Sequence, residues 1–313
     1  MEKRRNNFIG PIILFITAFF WGTAFVAQKL GSDYVGPFTY NAYRFLISGV
    51  VLCVAYLIKR KVNKNKVSVE EENRIKDNKS KKWIIINCII ITISLFFGAT
   101  LLQFGIKYTT PGKAGFLSSI YILVVPIIGI FFKKKTKFYT WIWILIALTG
   151  SFLISYQKGE GFDFGDILIL ISAIGYSFQI FFIDRVNKYI DSIFLTGIQL
   201  LGTGLLSFIV KVIVEPFDVE ALGHGILAIV YAAIFSSCIA YYLQVVGQRT
   251  TPPTAASLIM SLESVFALLS GLVILHETLL LREWIGCGLI FLSILGSQFS
   301  INTRTVKNNE ENG

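Results

Sequence analysis

Two histidines and four cysteines are scattered through this 313-residue chain, and only 15% of its residues are charged. Soluble domains carry about 25% charged residues, so the chain has too few to cover a water-facing surface. His224 and His276 lie far apart in the sequence, and the deep apolar runs hold no paired carboxylates. An enzyme that cuts bonds inside a membrane needs such a constellation, so the chain does not read as an enzyme. A Walker sequence is also missing, which excludes ATP as a direct energy source, and no cofactor is called for. Cys53, Cys88, Cys238 and Cys287 all fall inside apolar runs without a CxxC pair; they read as small buried thiols rather than as a metal or redox centre. The net charge of +10 comes without a stacking motif, and its basic residues sit between apolar runs. That pattern excludes nucleic acid as a partner and marks topology instead.

Apolar sequence is what the chain has in excess, at 54% of all residues. Runs of 18 residues or more recur along it, each long enough to cross a bilayer. Ten spans are expected, at roughly 9–30, 37–58, 83–105, 112–132, 138–156, 165–184, 192–214, 224–246, 253–275 and 281–301. Continuous runs without strict alternation exclude a β-barrel, so the fold class is all-α, a polytopic membrane protein. Basic Met1–Asn7 precedes a run that continues to about Leu30 with no small-residue cleavage site, which reads as an uncleaved first span. Pro11, Pro111 and Pro252 or Pro253 stand near first helical turns, where a missing N–H costs little. Pro126 falls inside the fourth span, where a kink is expected. The Lys-rich stretch 59–82 reads as a solvated linker.

With the N-terminus in the cytoplasm, 22 of the 29 Lys and Arg fall on cytoplasmic segments. Loop 31–36 has none, and 157–165 has only Lys158. Both termini are therefore expected inside.

A second pattern is duplication. A shift of 141 positions lays Gln103 on Gln244, Thr109-Thr110-Pro111 on Thr250-Thr251-Pro252, Ala114 on Ala255 and Leu117 on Leu258. A shift of 155 lays Ala18 on Ala173, Trp21 on Tyr176, Arg44 on Gln199 and Gly49 on Gly204. Residues 1–157 and 158–313 thus read as two halves of five spans each. Five is odd, so the second half enters the membrane from the opposite side, as two inverted repeats around a central cavity.

Glu263 lies about ten residues into the ninth span, roughly 15 Å deep and near the midplane of a ~30 Å core. A charge there costs about 2.5–3.5 kcal/mol. Three readings stand: a ligand for a substrate amine, a proton-coupled carboxylate, or a structural carboxyl bonding neighbouring helices. Lys113 and Arg44 sit within about two turns of the outer surface, placed either to snorkel or to meet a substrate carboxylate. If both reach inward above Glu263, the cavity offers both signs, which suits a zwitterion. Trp21 and Tyr176 lie near mid-depth, away from the interfacial belts, as ring packing or as cavity wall. Gln28, Gln103, Gln179, Gln199 and Gln244 are amides able to bridge helices, and Ser118, Ser119, Tyr121, Ser257 and Ser261 offer hydroxyls. Gly112/Gly115, Gly202/Gly204 and Gly286/Gly288 read as close-packing positions. His276-Glu277 and Arg282-Glu283 read as bracketing a short outer loop, as caps or a surface ion pair.

Several segments resemble the drug/metabolite transporter superfamily, EamA type. They are Phe20-Trp21-Gly22-Thr23, Arg44-Phe45, Thr109 through Phe116, Ser261-Leu262-Glu263 and His276-Glu277. The resemblance covers essentially the whole chain. It implies a basket of helices in which the first, third, fourth, sixth, eighth and ninth surround the cavity. It also implies a small organic solute as partner, often an amino acid or related metabolite, and frequently export. One departure is visible: the family often has Leu-Glu-Pro in the ninth helix, and here the third residue is Ser264. The expected function is a secondary carrier in the plasma membrane, driven by the solute gradient, a counter-solute or protons. A broad exporter of drugs or aromatic metabolites, or a passive channel, is the alternative.

Overall fold

A computed structural model describes the backbone of residues 2–62, 69–134, 136–156, 163–274 and 279–310, and the side chains of those residues except 2–7 and 298–310. Its helices are α1 (Glu2–Ser32), α2 (Pro37–Val62), α3 (Val69–Lys76), α4 (Lys81–Gly105), α5 (Pro111–Ser119), α6 (Tyr121–Phe131) and α7 (Phe138–Ser155). There follow α8 (Phe164–Val186), α9 (Ser192–Val214), α10 (Val219–Tyr231), α11 (Tyr241–Gly247), α12 (Pro253–Met260), α13 (Glu263–Ile274) and α14 (Leu281–Glu310). Among the described residues, nine helical stretches are long and apolar enough to cross a membrane. The tenth expected span falls on α14, whose side chains are described only to Ser297. The chain is an all-α, multi-pass membrane protein.

Short polar residues start the helices, because their side chains accept the N–H groups that a first turn leaves unpaired. Ser80 accepts from Trp83 N, Asp191 from Ile193 N and Phe194 N, and Asp218 from Ala221 N. Pro111 and Pro253 occupy first turns, as expected. Pro11 does not, because α1 begins upstream at Glu2 and carries the proline inside it. Part of the stretch 59–82 that reads as a linker is helical, as α3. Its α3 is tied down by Glu70 to Arg249 at 2.9 Å and by Asn73 Nδ2 donating to Lys188 O, and just past the helix Tyr189 donates to Asp77.

The spans pair in a regular way. α2 runs along α9, α4 along α8, α7 along α14, and α1 along α13. Glycine stands at a close approach in each of these crossings. A Cβ on Gly49 would sit 2.5 Å from Leu201 N, and one on Gly204 would sit 2.7 Å from Leu46 N. Gly150 and Gly286 meet the same way between α7 and α14, each with a virtual Cβ within 2.6 Å of the other's carbonyl oxygen. Gly288 has nothing within 4 Å and Gly112 only Leu268 at 3.8 Å, so neither makes the close approach expected of it.

Ion pairs hold both ends. On the side where α2 ends, Lys59 pairs with Asp191, Lys134 with Asp184, and Arg249 with Glu70. At the other end Lys113 pairs with Asp166 at 2.7 Å, and the Glu215 carboxylate accepts from Phe38 N and Thr39 N at the start of α2.

Candidate functional site

The fourth and ninth spans are both broken near their middle. α5 stops and α6 begins around Ile120; α12 stops and α13 begins across Ser261 and Leu262. Moving Ile120 by 141 positions gives Ser261, so the breaks occupy the same place in the two halves. Pro126 is not the site of the fourth span's break, which comes six residues earlier; α6 runs through the proline. In the ninth span no proline is involved. Three serine hydroxyls bond back to the carbonyl three residues earlier: Ser257 to Thr254 O, Ser261 to Leu258 O and Ser264 to Ser261 O. Such bonds compete with the helical ladder and bend it. The backbone follows, with Leu262 N reaching Ile259 O and Ser264 N reaching Ser261 O, both three residues back. Ser119 does the same just before the fourth span's break, to Phe116 O.

The second break puts Glu263 in the first turn of α13, where the helix dipole favours a carboxylate. Glu263 is buried, at 4% exposure. Ser118 Oγ donates to its Oε1 at 3.1 Å, and the Tyr121 hydroxyl stands beside it with no other partner. Among the described residues no cation pairs with Glu263.

Across the same cavity stands Arg44, 2% exposed. Its guanidinium carbon lies 4.3 Å from the Phe45 ring centre and 5.5 Å from that of Tyr40, and its Nε has no acceptor. No carboxylate pairs with it among the described residues. The stacked rings hold the cation in place without neutralising it.

Aromatic side chains form the wall between the two charges. Trp21 Nε1 donates to Ser236 O at 3.2 Å, and its ring meets Tyr241 edge-on at 5.0 Å. Tyr241 in turn lies beside Tyr176. Ser236 belongs to a π-helical stretch, Ala232–Ala240, inside the eighth span. Single wide turns of this kind often accompany functional sites. Here the stretch also supplies Ala233 O, which accepts from Ser48 on α2. Gln179 closes another side, and beneath it lies a buried knot of amides. Its Nε2 donates to Gln199 Oε1 at 3.2 Å and to Gln244 Oε1 at 3.0 Å, and Gln244 Nε2 donates back at 3.0 Å.

The lining side chains nearly fill this cavity. About 30 Å³ remains for water, room for only a water or two. An amino-acid-sized molecule enters this cavity only if the lining parts.

Trp21, Gln28, Arg44, Ser118, Tyr121, Tyr176, Gln179 and Glu263 all line this one cavity. The other seven candidates, Ser119 among them, do not. Gln199 and Gln244 sit in the amide knot below, and Gln103 donates to Gln28 O at 3.2 Å. Ser257 and Ser261 spend their hydroxyls on their own helix. Lys113 neither snorkels nor reaches the cavity: it is tied to Asp166, which is fully buried. His276-Glu277 lies outside the described residues. Phe25, Ser236 and Tyr241 line the cavity without having been singled out. Among the described residues, no group of three or more His, Cys, Asp or Glu could hold a metal ion.

The profile of the EamA-like transporter family matches this chain twice, at residues 8–156 and 163–298. An uncharacterized transporter of Archaeoglobus fulgidus is 28% identical over 90% of the chain and 83% of its own length. The uncharacterized transporter YoaV of Bacillus subtilis is 23% identical over 91% and 95%. The uncharacterized inner membrane transporter YedA of Escherichia coli is 24% identical over 90% and 88%. A solved crystal structure, 20% identical, superposes with a TM-score of 0.73 over 95% of this chain and 98% of its own.

Proposed function

The chain belongs to the EamA-like transporter family, and from that premise we propose that it is a secondary carrier for a small zwitterionic solute such as an amino acid. The observation that carries this reading is the pair of unneutralised groups in one cavity, Glu263 on α13 and Arg44 on α2, with an aromatic wall between them. A buried charge left without a partner is costly. An ammonium at Glu263 and a carboxylate at Arg44 would relieve both costs at once. Without solute, a proton on Glu263 would serve the same end, which makes protons a natural counter-species.

Movement is by alternating access, with residues 1–157 and 158–313 as inverted halves in the plasma membrane and both termini in the cytoplasm. The direction of net transport is outward. The pairing of the spans supports the inverted arrangement: α2 lies on its repeat mate α9, α7 on its mate α14, and the contact of α1 with α13 has its counterpart in that of α8 with α6. The bias of Lys and Arg supports the orientation. A rival reading, an exporter of uncharged aromatic metabolites, draws on the ring-lined wall alone.

The test is counterflow in proteoliposomes. A labelled amino acid should accumulate transiently against an unlabelled load and saturate. The matching amine without its carboxylate, and the N-acylated acid, should each compete at least about 10-fold more weakly, the worth of one charged hydrogen bond. The Arg44→Gln variant should erase the preference for the amino acid over the amine. Equal competition by uncharged aromatics would favour the exporter reading, and flux without saturation would favour a channel.

A further inference from the structure

Away from the central cavity, the lipid-facing side of the bundle carries a groove of about 610 Å³ between α4 and α9. Ile84, Ile85, Cys88, Ile89, Thr92 and Ile93 line it from α4, and Phe194, Ile198 and Leu205 are among those lining it from α9. Its floor is the close approach of the two helices: a Cβ on Gly202 would meet Thr92 Cγ2 at 2.6 Å. The groove runs nine residues along α4, from Ile84 to Ile93, and twelve along α9, from Phe194 to Leu206, about 14 and 18 Å. That is close to one leaflet, half of a ~30 Å hydrocarbon core.

One end of the groove is basic. Lys81 lies three and four residues before Ile84 and Ile85, and Lys82 three and seven before Ile85 and Ile89, so the groove's stripe on α4 begins at these two lysines. Both are exposed, and among the described residues neither has a carboxylate partner. Next to them stands Trp83, with Lys79 Nζ 5.1 Å and Arg185 Cζ 5.7 Å from its ring. A tryptophan of this kind sits at the headgroup level. The nearby acids are committed elsewhere, Asp191 to Lys59 and Asp77 to Tyr189.

We propose that this groove is a binding site for one anionic phospholipid, with an acyl chain lying between α4 and α9 and the phosphate held at Lys81 and Lys82. The leaflet is the cytoplasmic one, which rests on the orientation proposed above; the lipid binding itself does not depend on the transport reading. The bound lipid covers the seam where a first-half helix meets a second-half helix, so it stabilises the pairing of the halves.

The experiment reads lipid, not transport. Full-length protein is delipidated in detergent, then offered phosphatidylglycerol or phosphatidylcholine. Retained lipid is counted by native mass spectrometry, and the melting temperature is followed alongside. The wild type should retain phosphatidylglycerol in preference and melt higher with it. Removing each lysine should cost about fivefold of that preference, so Lys81→Gln with Lys82→Gln should leave little of it. Ile89→Trp, which fills the groove and spares the charges, should lower retention of both lipids. Lys137→Gln, before α7, should change neither. Equal retention of phosphatidylglycerol by the wild type, the double variant and Ile89→Trp would overturn the proposal. So would disulfide cross-linking of an Ile89→Cys variant to a second copy in native membranes, which would make the groove a dimer interface.

Discussion

The fourth and ninth spans break at equivalent positions, yet only one of them carries charge. At the fourth, α6 opens with Tyr121; at the ninth, α13 opens with Glu263. The residue one duplication before Glu263 is Ile122, fully buried in the apolar core. The means differ as well. Both breaks follow serines that bond back to their own helix, but only the fourth span has a proline downstream. A duplicated backbone feature has thus been kept on both sides while its chemistry has become one-sided. In the proposed reading, the bend opens a space in the bundle and a single carboxyl selects what that space receives. A second carboxyl facing the first would bring like charges into one dry cavity, which is costly.

The largest blow to this contrast is Glu263→Gln. The side chain keeps its shape and its bond from Ser118 but loses its charge. Counterflow should fall at least about 30-fold, the lower range for removing one member of a buried charge pair, while the melting temperature is held or raised. Transport at the wild-type rate would make the carboxyl a structural tie. Tyr121→Phe, on the opposite side of the break, should be milder. It removes one hydroxyl beside Glu263 and should weaken apparent affinity by roughly 2- to 10-fold, as for one neutral hydrogen bond. An effect as large as that of Glu263→Gln would mean that both breaks recognise the solute. The smallest effect is expected for Ser264→Pro. Position 264 is in the first turn of α13, where proline is tolerated, and the serines already bend the chain there. Stability in detergent should change by less than about 1.5 kcal/mol, the worth of the Ser264 N–H bond to Ser261 O, with counterflow retained. A collapse of either would mean that the proline-free bend has a shape of its own.

Much of the scaffold was legible in the chain alone. Apolar runs mark the spans because burial in lipid is set by local composition. Gly204 was expected at a close helix contact, and it does admit α2, as its repeat mate Gly49 admits α9. The depth of Glu263 followed from counting residues along a helix. The bend at Ser261 was less accessible. A missing proline argues against a bend, and the serines that replace it act only through hydroxyls that choose the backbone over another partner. The described part of the Lys-rich linker is solvated, as its polarity implies, with no buried residue on α3. What composition does not show is that Glu70, Asn73 and Asp77 find partners on turns more than 100 residues away.

Lys113 and Arg44 draw the boundary. The sequence placed both cations near the outer third of the membrane and offered them the same two roles. Folding gave Lys113 a buried carboxylate 53 positions further on, at Asp166, and gave Arg44 only aromatic rings. Span content, charge bias, duplication and the depth of the lone acid were therefore determined by the sequence, because each is a sum or a count along one stretch of chain. Which charges are cancelled by a partner and which are not was decided by the tertiary structure alone. Neutralisation depends on a partner within about 4 Å, and that partner comes from another helix.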